Sequence, residues 1–324
     1  MNELPNEQWR AVISRPLETQ PFVPASSELS VDIAAASVCG KLNSQNTDHY
    51  LAVRLGRTQQ TLLTTLAAAD LPPRFEEYSY AMLVADGVGG HAGARASRLA
   101  LSALAHLAIQ YGKWNVRVDP DTATDILAQS TFLYARAHDA VRQASRADAR
   151  LANMATSLTA LYIAEDSLFF AHVGHSAAFL FRDGVLIQLT ASHTTERDRS
   201  ASDFTDGIRT IGRRRAPPHI DTEHIRLLTG DRLLLCTDGL TDVVTKERIA
   251  DILASGRAPQ EDCERLIDLA AAGQGGDDVT IMLADYTMPR DRTGRPSNVD
   301  TDDTDVASPD IEAEQDPTSA PAAG

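Results

Sequence analysis

The amino-acid sequence predicts an α+β fold in which antiparallel β-sheets pack against pairs of helices. Residues 80–85 read YAMLVA, a short apolar run typical of a buried strand. Helical periodicity follows at 92–111 and 121–149, and again at 246–254 and 259–272, before a last strand at 279–286. Because helix pairs rather than single helices separate the strand runs, the pattern argues against a doubly wound parallel sheet.

The segment 156–190 predicts consecutive antiparallel hairpins, because it is rich in β-branched and aromatic residues. Its turn signals are Glu165-Asp166, Gly174 and Asp183-Gly184. Residues 225–239 predict one more hairpin, with its turn at the Thr-Gly-Asp sequence that divides two apolar runs. Together these segments supply most of the predicted sheet.

The chain of 324 residues, 43% of them hydrophobic, is long enough to bury a substantial core. Residues 1–25 contain four prolines and predict a disordered N-terminal segment. Residues 289–324 predict a disordered acidic tail, whose part from 299 onward holds eight acids and no base. We therefore expect one domain over 26–288.

The net charge of −15 argues against nucleic acid or an anionic membrane as the main partner. The three cysteines are far apart and form neither a C-x-x-C nor a Cys/His zinc pattern, which predicts reduced thiols. The chain starts without signal-peptide features, and its most apolar helical stretch is short and interrupted. We expect a cytoplasmic, monomeric protein with no membrane partner.

A glycine-rich loop follows the strand at 80–85, in the sequence MLVADGVGGHAGARAS of residues 82–97. It matches neither the dinucleotide fingerprint G-x-G-x-x-G nor the phosphate-loop pattern G-x-x-x-x-G-K-[ST]. For this motif alone, an ordinary turn in which glycines supply positive φ angles stays an open alternative. The aspartate at its start, Asp86, needs a further explanation.

Carboxylates stand at the edge of apolar runs three times: Asp86-Gly87, Asp238-Gly239 and Asp277-Asp278. None of the three motifs contains Lys or Arg. An unpartnered buried carboxylate costs on the order of several kcal/mol, or else it takes up a proton. A hard divalent cation binds carboxylates, backbone carbonyls and water, so the pattern predicts an Mg²⁺ or Mn²⁺ site.

Five motifs in this order resemble the metal-dependent, PPM-type (2C-type) serine/threonine protein phosphatases of bacteria. They are GKLNSQNTDHY, ADGVGGHAG, ATSLTALYI followed by AHVGHSAAFLFRDGVLIQLT, TDGLTD and GGDDVT, and they extend over roughly residues 30 to 287. The resemblance implies a four-layer α-β-β-α sandwich of two antiparallel sheets flanked by helix pairs. It also implies hydrolysis of phosphoserine and phosphothreonine in proteins, with substrates supplied by a serine/threonine kinase in signalling.

The resemblance assigns the metal ligands residue by residue. Asp86 would bridge two ions, and the Gly87 carbonyl would bind one of them. Asp238 and Asp277 would bind the other ion, and Asp48 would act directly or through a water. Two such ions hold and activate a hydroxide that attacks the phosphoester in line.

His91 resembles the family histidine that protonates the leaving oxygen. Its alternative, a structural histidine at a helix start, stays open. Asn43 stands where the family has a phosphate-binding arginine, and Thr47 stands at a Glu/Gln position. His175 stands where the family has an aspartate that serves a third metal; we expect it simply to replace a ligand that this protein does without, with Mn²⁺ binding as the alternative. Asp278, in place of asparagine, is a milder change.

Two other functions stay open. Asn43 and His175 support a pseudophosphatase that keeps the fold as a phosphoprotein-binding regulatory module. A phosphatase for small phosphorylated molecules on the same scaffold is the second alternative. Retention of every carboxylate of the two-metal set favours the protein phosphatase.

Overall fold

The computed structural model describes residues 29–67, 75–113, 118–193 and 209–288. All of these residues belong to one compact unit, which ends at Pro289. The predicted segments 1–25 and 289–324 lie outside the described residues, so their disorder stays a prediction, as does the domain boundary at 26.

Two five-stranded antiparallel sheets form the centre of the protein. Sheet I has the order β1 (Ser30–Val38), β12 (Val279–Thr287), β11 (Arg232–Cys236), β8 (Ala177–Arg182) and β9 (Val185–Gln188). Sheet II has the order β10 (Asp221–Arg226), β7 (Ser167–Val173), β6 (Leu158–Ala164), β3 (Phe75–Ala85) and β2 (His49–Gln59). A short pair, β4 (Gly87–Val88) and β5 (Ala155–Thr156), adjoins them.

Helices cover the outer face of each sheet. Sheet II packs against α1 (His91–Tyr111) and α2 (Pro120–Ala147), and a 3₁₀ turn (Ala149–Leu151) follows α2. Sheet I packs against α4 (Lys246–Leu253) and α5 (Pro259–Ala272), which follow the short helix α3 (Asp238–Thr241). Each predicted helix is present within two residues of its expected ends.

The central strands are buried on both faces. In β3, Met82 and Val84 pack between the two sheets, whereas Leu83 and Ala85 face α1 and α2. The residues of β11 alternate in the same way between the inter-sheet core and the core under α4 and α5. Burial on both faces explains why these strands read as continuous apolar runs, and the expected four-layer α-β-β-α sandwich is confirmed.

Two of the predicted hairpins are present and two are wrong. Glu165 and Asp183 adopt positive φ angles of 49° and 51° in the tight turns that join β6 to β7 and β8 to β9. At Gly174 the chain instead leaves sheet II and enters sheet I. The turn at 229–231 also joins different sheets, since β10 pairs with β7 while β11 pairs with β8 and β12.

Among the described helices, none combines the length and the apolar character that crossing a membrane requires.

Candidate metal centre

Strand register brings the four predicted carboxylates to the same end of the sandwich. In sheet II, His49 pairs with Ala85, so Asp48 before β2 and Asp86 after β3 share that end. In sheet I, Cys236 at the end of β11 pairs with Ile281 near the start of β12. Asp238 and Asp277 therefore leave sheet I at one end as well.

A buried hydroxyl joins the two pairs of carboxylates. Thr237, the residue before Asp238, donates through Oγ1 to Oδ2 of Asp48 over 2.8 Å. The same Oγ1 accepts the backbone N–H of Thr280 of β12 at 2.9 Å. Because Thr237 directly follows β11 of sheet I and Asp48 directly precedes β2 of sheet II, this contact fixes Asp48 relative to Asp238. Sequence reasoning missed Thr237, although its place directly before the Asp-Gly motif was a usable signal.

The carboxylates perturb one another. Burial raises the pKa of Asp86 well above its usual range, and the charges of the other three carboxylates raise it further. Burial likewise raises the pKa of Asp48 to about 7, although the hydroxyl of Thr237 acts to lower it. The pKa of Asp277 is raised by burial and by the charge of Asp238. Asp86 is therefore close enough to the other three carboxylates for their negative charges to disfavour its ionised form.

This donor set fits a hard divalent cation. Within the described ranges, no lysine or arginine forms an ion pair with any of the four carboxylates, and their only such neighbour is the His175 imidazole. No three His, Cys, Asp or Glu side chains there are close enough to form a ready ligand cluster by themselves. Mg²⁺ commonly binds one or two carboxylates and keeps several waters, so an ion can be held without a cluster of three such side chains.

Asp278 has a different role from its neighbour Asp277. Its Oδ1 accepts the backbone N–H of Gly40 at 2.7 Å, and its Oδ2 accepts the N–H and the hydroxyl of Thr47 at 2.6 and 2.8 Å. Burial acts to raise the pKa of Asp278, but these donors outweigh burial and lower it. Asp278 thus stays ionised and holds the loop that leads to Asp48.

His91 is the first residue of α1 and is exposed. The backbone of Gly87 packs directly against the backbone of Gly93 in the first turn of α1. A Cβ added at Gly87 would lie only 2.3 Å from the carbonyl of Gly93, so this contact sets the position of the start of α1. The amide Nε2 of Gln45 lies 3.4 Å from Nδ1 of His91. Sequence reasoning missed Gln45, since nothing local in the sequence indicates this contact.

Two of the departures from the family pattern, Asn43 and His175, lie beside predicted ligands. The amide of Asn43 donates to Oδ1 of Asp277 over 3.3 Å. Nδ1 of His175 is 3.5 Å from Oδ2 of Asp238. Each substituted side chain therefore contacts a carboxylate of the site.

Comparison with known proteins identifies similar chains. The family model described as "Protein phosphatase 2C" matches residues 74–270. The serine/threonine protein phosphatase PstP of Mycobacterium tuberculosis is 33% identical over 217 residues, which cover 63% of this chain and 40% of the relative. The serine/threonine phosphatase stp of Listeria welshimeri is 30% identical over 223 residues, covering 64% of this chain and 84% of that protein. The chain thus aligns with less than half of the mycobacterial relative's length.

Solved structures of phosphatases superpose on the sandwich described above. The catalytic domain of PstP, in complex with two manganese ions, superposes with a TM-score of 0.59 at 28% identity, covering 80% of this chain and 99% of that one. The serine/threonine phosphatase of S. agalactiae has a TM-score of 0.62 at 22% identity, covering 79% and 99%. At that identity the second comparison supports the fold alone.

We expect Asp278→Ala to lower the free energy of unfolding by about 2 to 4 kcal/mol, because it leaves buried N–H donors without their charged acceptor. Urea denaturation in EDTA measures the change. The matched control is Asp277→Asn, which keeps the carbonyl oxygen that accepts the N–H of Asp278 and should stay within about 0.5 kcal/mol of wild type. Equal stabilities of the Asp278 variant and the wild type would contradict this role for Asp278.

Proposed function

The chain belongs to the protein phosphatase 2C family, and from this premise we propose that it is a metal-dependent protein-serine/threonine phosphatase. It hydrolyses phosphoserine and phosphothreonine with Mg²⁺ or Mn²⁺. The observation that carries the proposal is the gathering of Asp48, Asp86, Asp238 and Asp277 at one end of the sandwich without a lysine or arginine ion-pair partner in the described residues. The names of the bacterial relatives support the same reaction.

We propose that these four carboxylates, with the carbonyl of Gly87, hold the divalent ions, Asp48 doing so directly or through a water. Bound divalent ions lower the pKa of water and neutralise charge that develops on the phosphoryl group. The protein's own part is to hold the ligands in place. Thr237 fixes Asp48, and the hydroxyl of Thr156 and the N–H of Ser157 both donate to the carbonyl of Asp86, at 2.7 and 2.9 Å.

His91 is the proposed proton donor to the leaving oxygen. The contact of Nδ1 with the side-chain amide of Gln45 orients the ring, so Nε2 is the ring atom that can face the leaving oxygen. A histidine acts as a general acid in its imidazolium form, in which both ring nitrogens carry a proton, and it becomes a neutral imidazole after Nε2 has donated to the serine or threonine oxygen. The exposure of the ring keeps this proton exchangeable with solvent.

A pseudophosphatase is the second candidate, and the contacts of Asn43 and His175 with Asp277 and Asp238 are the observations that favour it. A small-molecule phosphatase is distinguished by its substrates, since it would leave phosphopeptides intact. Assays with p-nitrophenyl phosphate and a phosphothreonine peptide, described below, test both alternatives.

We further propose that the substrates are phosphoproteins made by a serine/threonine kinase.

The first expected result is a strict requirement for divalent metal. Wild type should hydrolyse p-nitrophenyl phosphate and a phosphothreonine peptide with Mn²⁺ or Mg²⁺, and EDTA should abolish both activities. Asp86→Asn or Asp238→Ala should lower kcat at least about a thousandfold, or about 4 kcal/mol, because each removes charge from the metal centre. Asp251→Asn, an exposed aspartate of α4, is the control and should keep full activity.

Activity that survives EDTA would refute the metal mechanism. Wild type that hydrolyses neither substrate with either ion would instead favour the pseudophosphatase.

His91→Ala should reduce hydrolysis of a phosphoserine peptide far more than that of p-nitrophenyl phosphate. Nitrophenolate leaves readily without a proton, whereas a serine alkoxide needs one. Steady-state kcat on both substrates provides the comparison. Equal losses on both would assign a structural role to the histidine.

Asn43→Arg tests how the substrate phosphate is held. A guanidinium offers a bidentate, charge-assisted contact worth roughly 1 to 3 kcal/mol more than an amide, so KM for a phosphopeptide should fall about tenfold. The change in kcat should be smaller, because the contact exists in ground state and transition state alike. The assay uses saturating Mn²⁺, since Asp277 lies beside this position. An unchanged or higher KM would mean that the new side chain does not reach the phosphate.

A further inference from the structure

A cavity of about 510 Å³ lies beside the proposed metal centre. One face of α1 forms its base, residues 45–49 form one wall, and residues 148–151 form the other. We call it the arginine cavity; its charged or titratable lining residues are His49, His91, Arg95, Arg98, Asp148 and Arg150. None of the four metal-site carboxylates lines it, and His91 belongs to both sites. The cavity is therefore adjacent to the reaction site but separate from the ligands.

Positive charge is concentrated in this cavity. His91, Arg95 and Arg98 are spaced i, i+4 and i+7 on α1, which places them on one face of the helix. Across the cavity, Arg150 is already paired with Asp148 through contacts of 3.0 and 2.8 Å. Among the residues that the structure describes, Arg95 and Arg98 form no ion pair. Within the described part of the chain, the cavity thus keeps two arginines without an acidic partner, although the net charge of the protein is −15.

The histidine beside the two arginines has a neutral partner. Nδ1 of His49 contacts the hydroxyl of Ser97 at 2.9 Å. The charge that a ligand would meet in the cavity therefore comes from the guanidinium groups of Arg95 and Arg98.

We propose that the arginine cavity binds acidic side chains that flank the phosphorylated residue of the substrate, so that the enzyme selects acidic phosphopeptides. This inference rests on the proposed phosphatase function. A phosphoserine or phosphothreonine placed at the metal centre next to His91 brings its neighbouring residues over the face of α1 that carries Arg95 and Arg98. A planar guanidinium group can donate two parallel hydrogen bonds to a planar carboxylate, so arginines are well suited to bind acidic side chains.

The overall charge of the protein makes such a local site necessary for this substrate class. A chain with fifteen excess negative charges repels acidic peptides at long range. A cavity with two unpaired arginines reverses the sign of the potential where the peptide binds. Salt screens ion pairs between these arginines and the carboxylates of a peptide, so the preference for acidic peptides should weaken as the salt concentration rises.

The test compares three substrates on the full-length protein with Mn²⁺. Two are phosphothreonine peptides that differ only in flanking residues, Glu in one and Gln in the other, and the third is p-nitrophenyl phosphate. Wild type should prefer the Glu peptide by about tenfold in kcat/KM, mainly through KM. The double variant Arg95→Gln/Arg98→Gln should reduce this preference to within about twofold while leaving the Gln peptide and p-nitrophenyl phosphate unchanged.

The control is Arg136→Gln/Arg248→Gln, which removes two exposed arginines outside the cavity, each with one weak i,i+3 contact at 3.9 or 3.8 Å. It should retain the preference, and the Tm of both double variants should match wild type.

Wild type that hydrolyses both peptides equally would overturn the inference and leave the phosphatase function standing. An equal loss on all three substrates in the Arg95/Arg98 variant would also overturn it, by assigning the arginines to the reacting phosphate. Absence of hydrolysis of every substrate would refute the phosphatase function and the inference with it.

Discussion

Burial of the central strands on both faces is the constraint on which the site depends. Strands β3, β11 and β12 lie between the inter-sheet core and a helix layer, so a charged side chain within them needs an ion-pair partner, as Arg232 has in Asp285. Antiparallel register then brings the end of one strand beside the start of the next. Asp86 and Asp238 follow strands, whereas Asp48 and Asp277 precede them. The carboxylates of the site are gathered at one end because the buried middle of each strand has no place for an unpaired charge.

Neighbouring carboxylates in this site have opposite environments. Asp278 accepts three hydrogen bonds from Gly40 and Thr47, and these donors hold its pKa low. Asp277, one residue earlier, keeps part of its side chain exposed to solvent, while burial of the remainder and the charge of Asp238 raise its pKa. A carboxylate that backbone donors already satisfy holds structure together, and one that faces other carboxylates needs a cation. The sequence Asp-Asp therefore carries a structural residue and a candidate ligand side by side.

Local signals in the sequence predict much of this fold and less of its connections. The helices follow from apolar periodicity, and the turns at Glu165 and Asp183 follow from turn chemistry, so both could be predicted. The crossing at Gly174 could not, because an apolar strand after a turn fits either sheet and only long-range packing selects one. The carboxylates at strand ends were identifiable for the same local reason. Arg95 and Arg98 were not identifiable as a site, because their cavity forms only when residues 45–49 and 148–151 meet α1.

Contact between two glycines connects the loop at Asp86-Gly87 to the first turn of α1. A Cβ at Gly87 would lie 2.3 Å from the carbonyl of Gly93, and one at Gly93 would lie 2.5 Å from the carbonyl of Gly87. Only residues without side chains allow this approach, which fixes the first turn of α1 against the residue that follows Asp86. His91 begins that turn, and Arg95 lies one turn further along. The position of the cavity relative to the candidate metal ligands is therefore set by backbone packing. A substrate that contacted both places would therefore meet two parts of one continuous stretch of chain whose relative position this glycine contact sets.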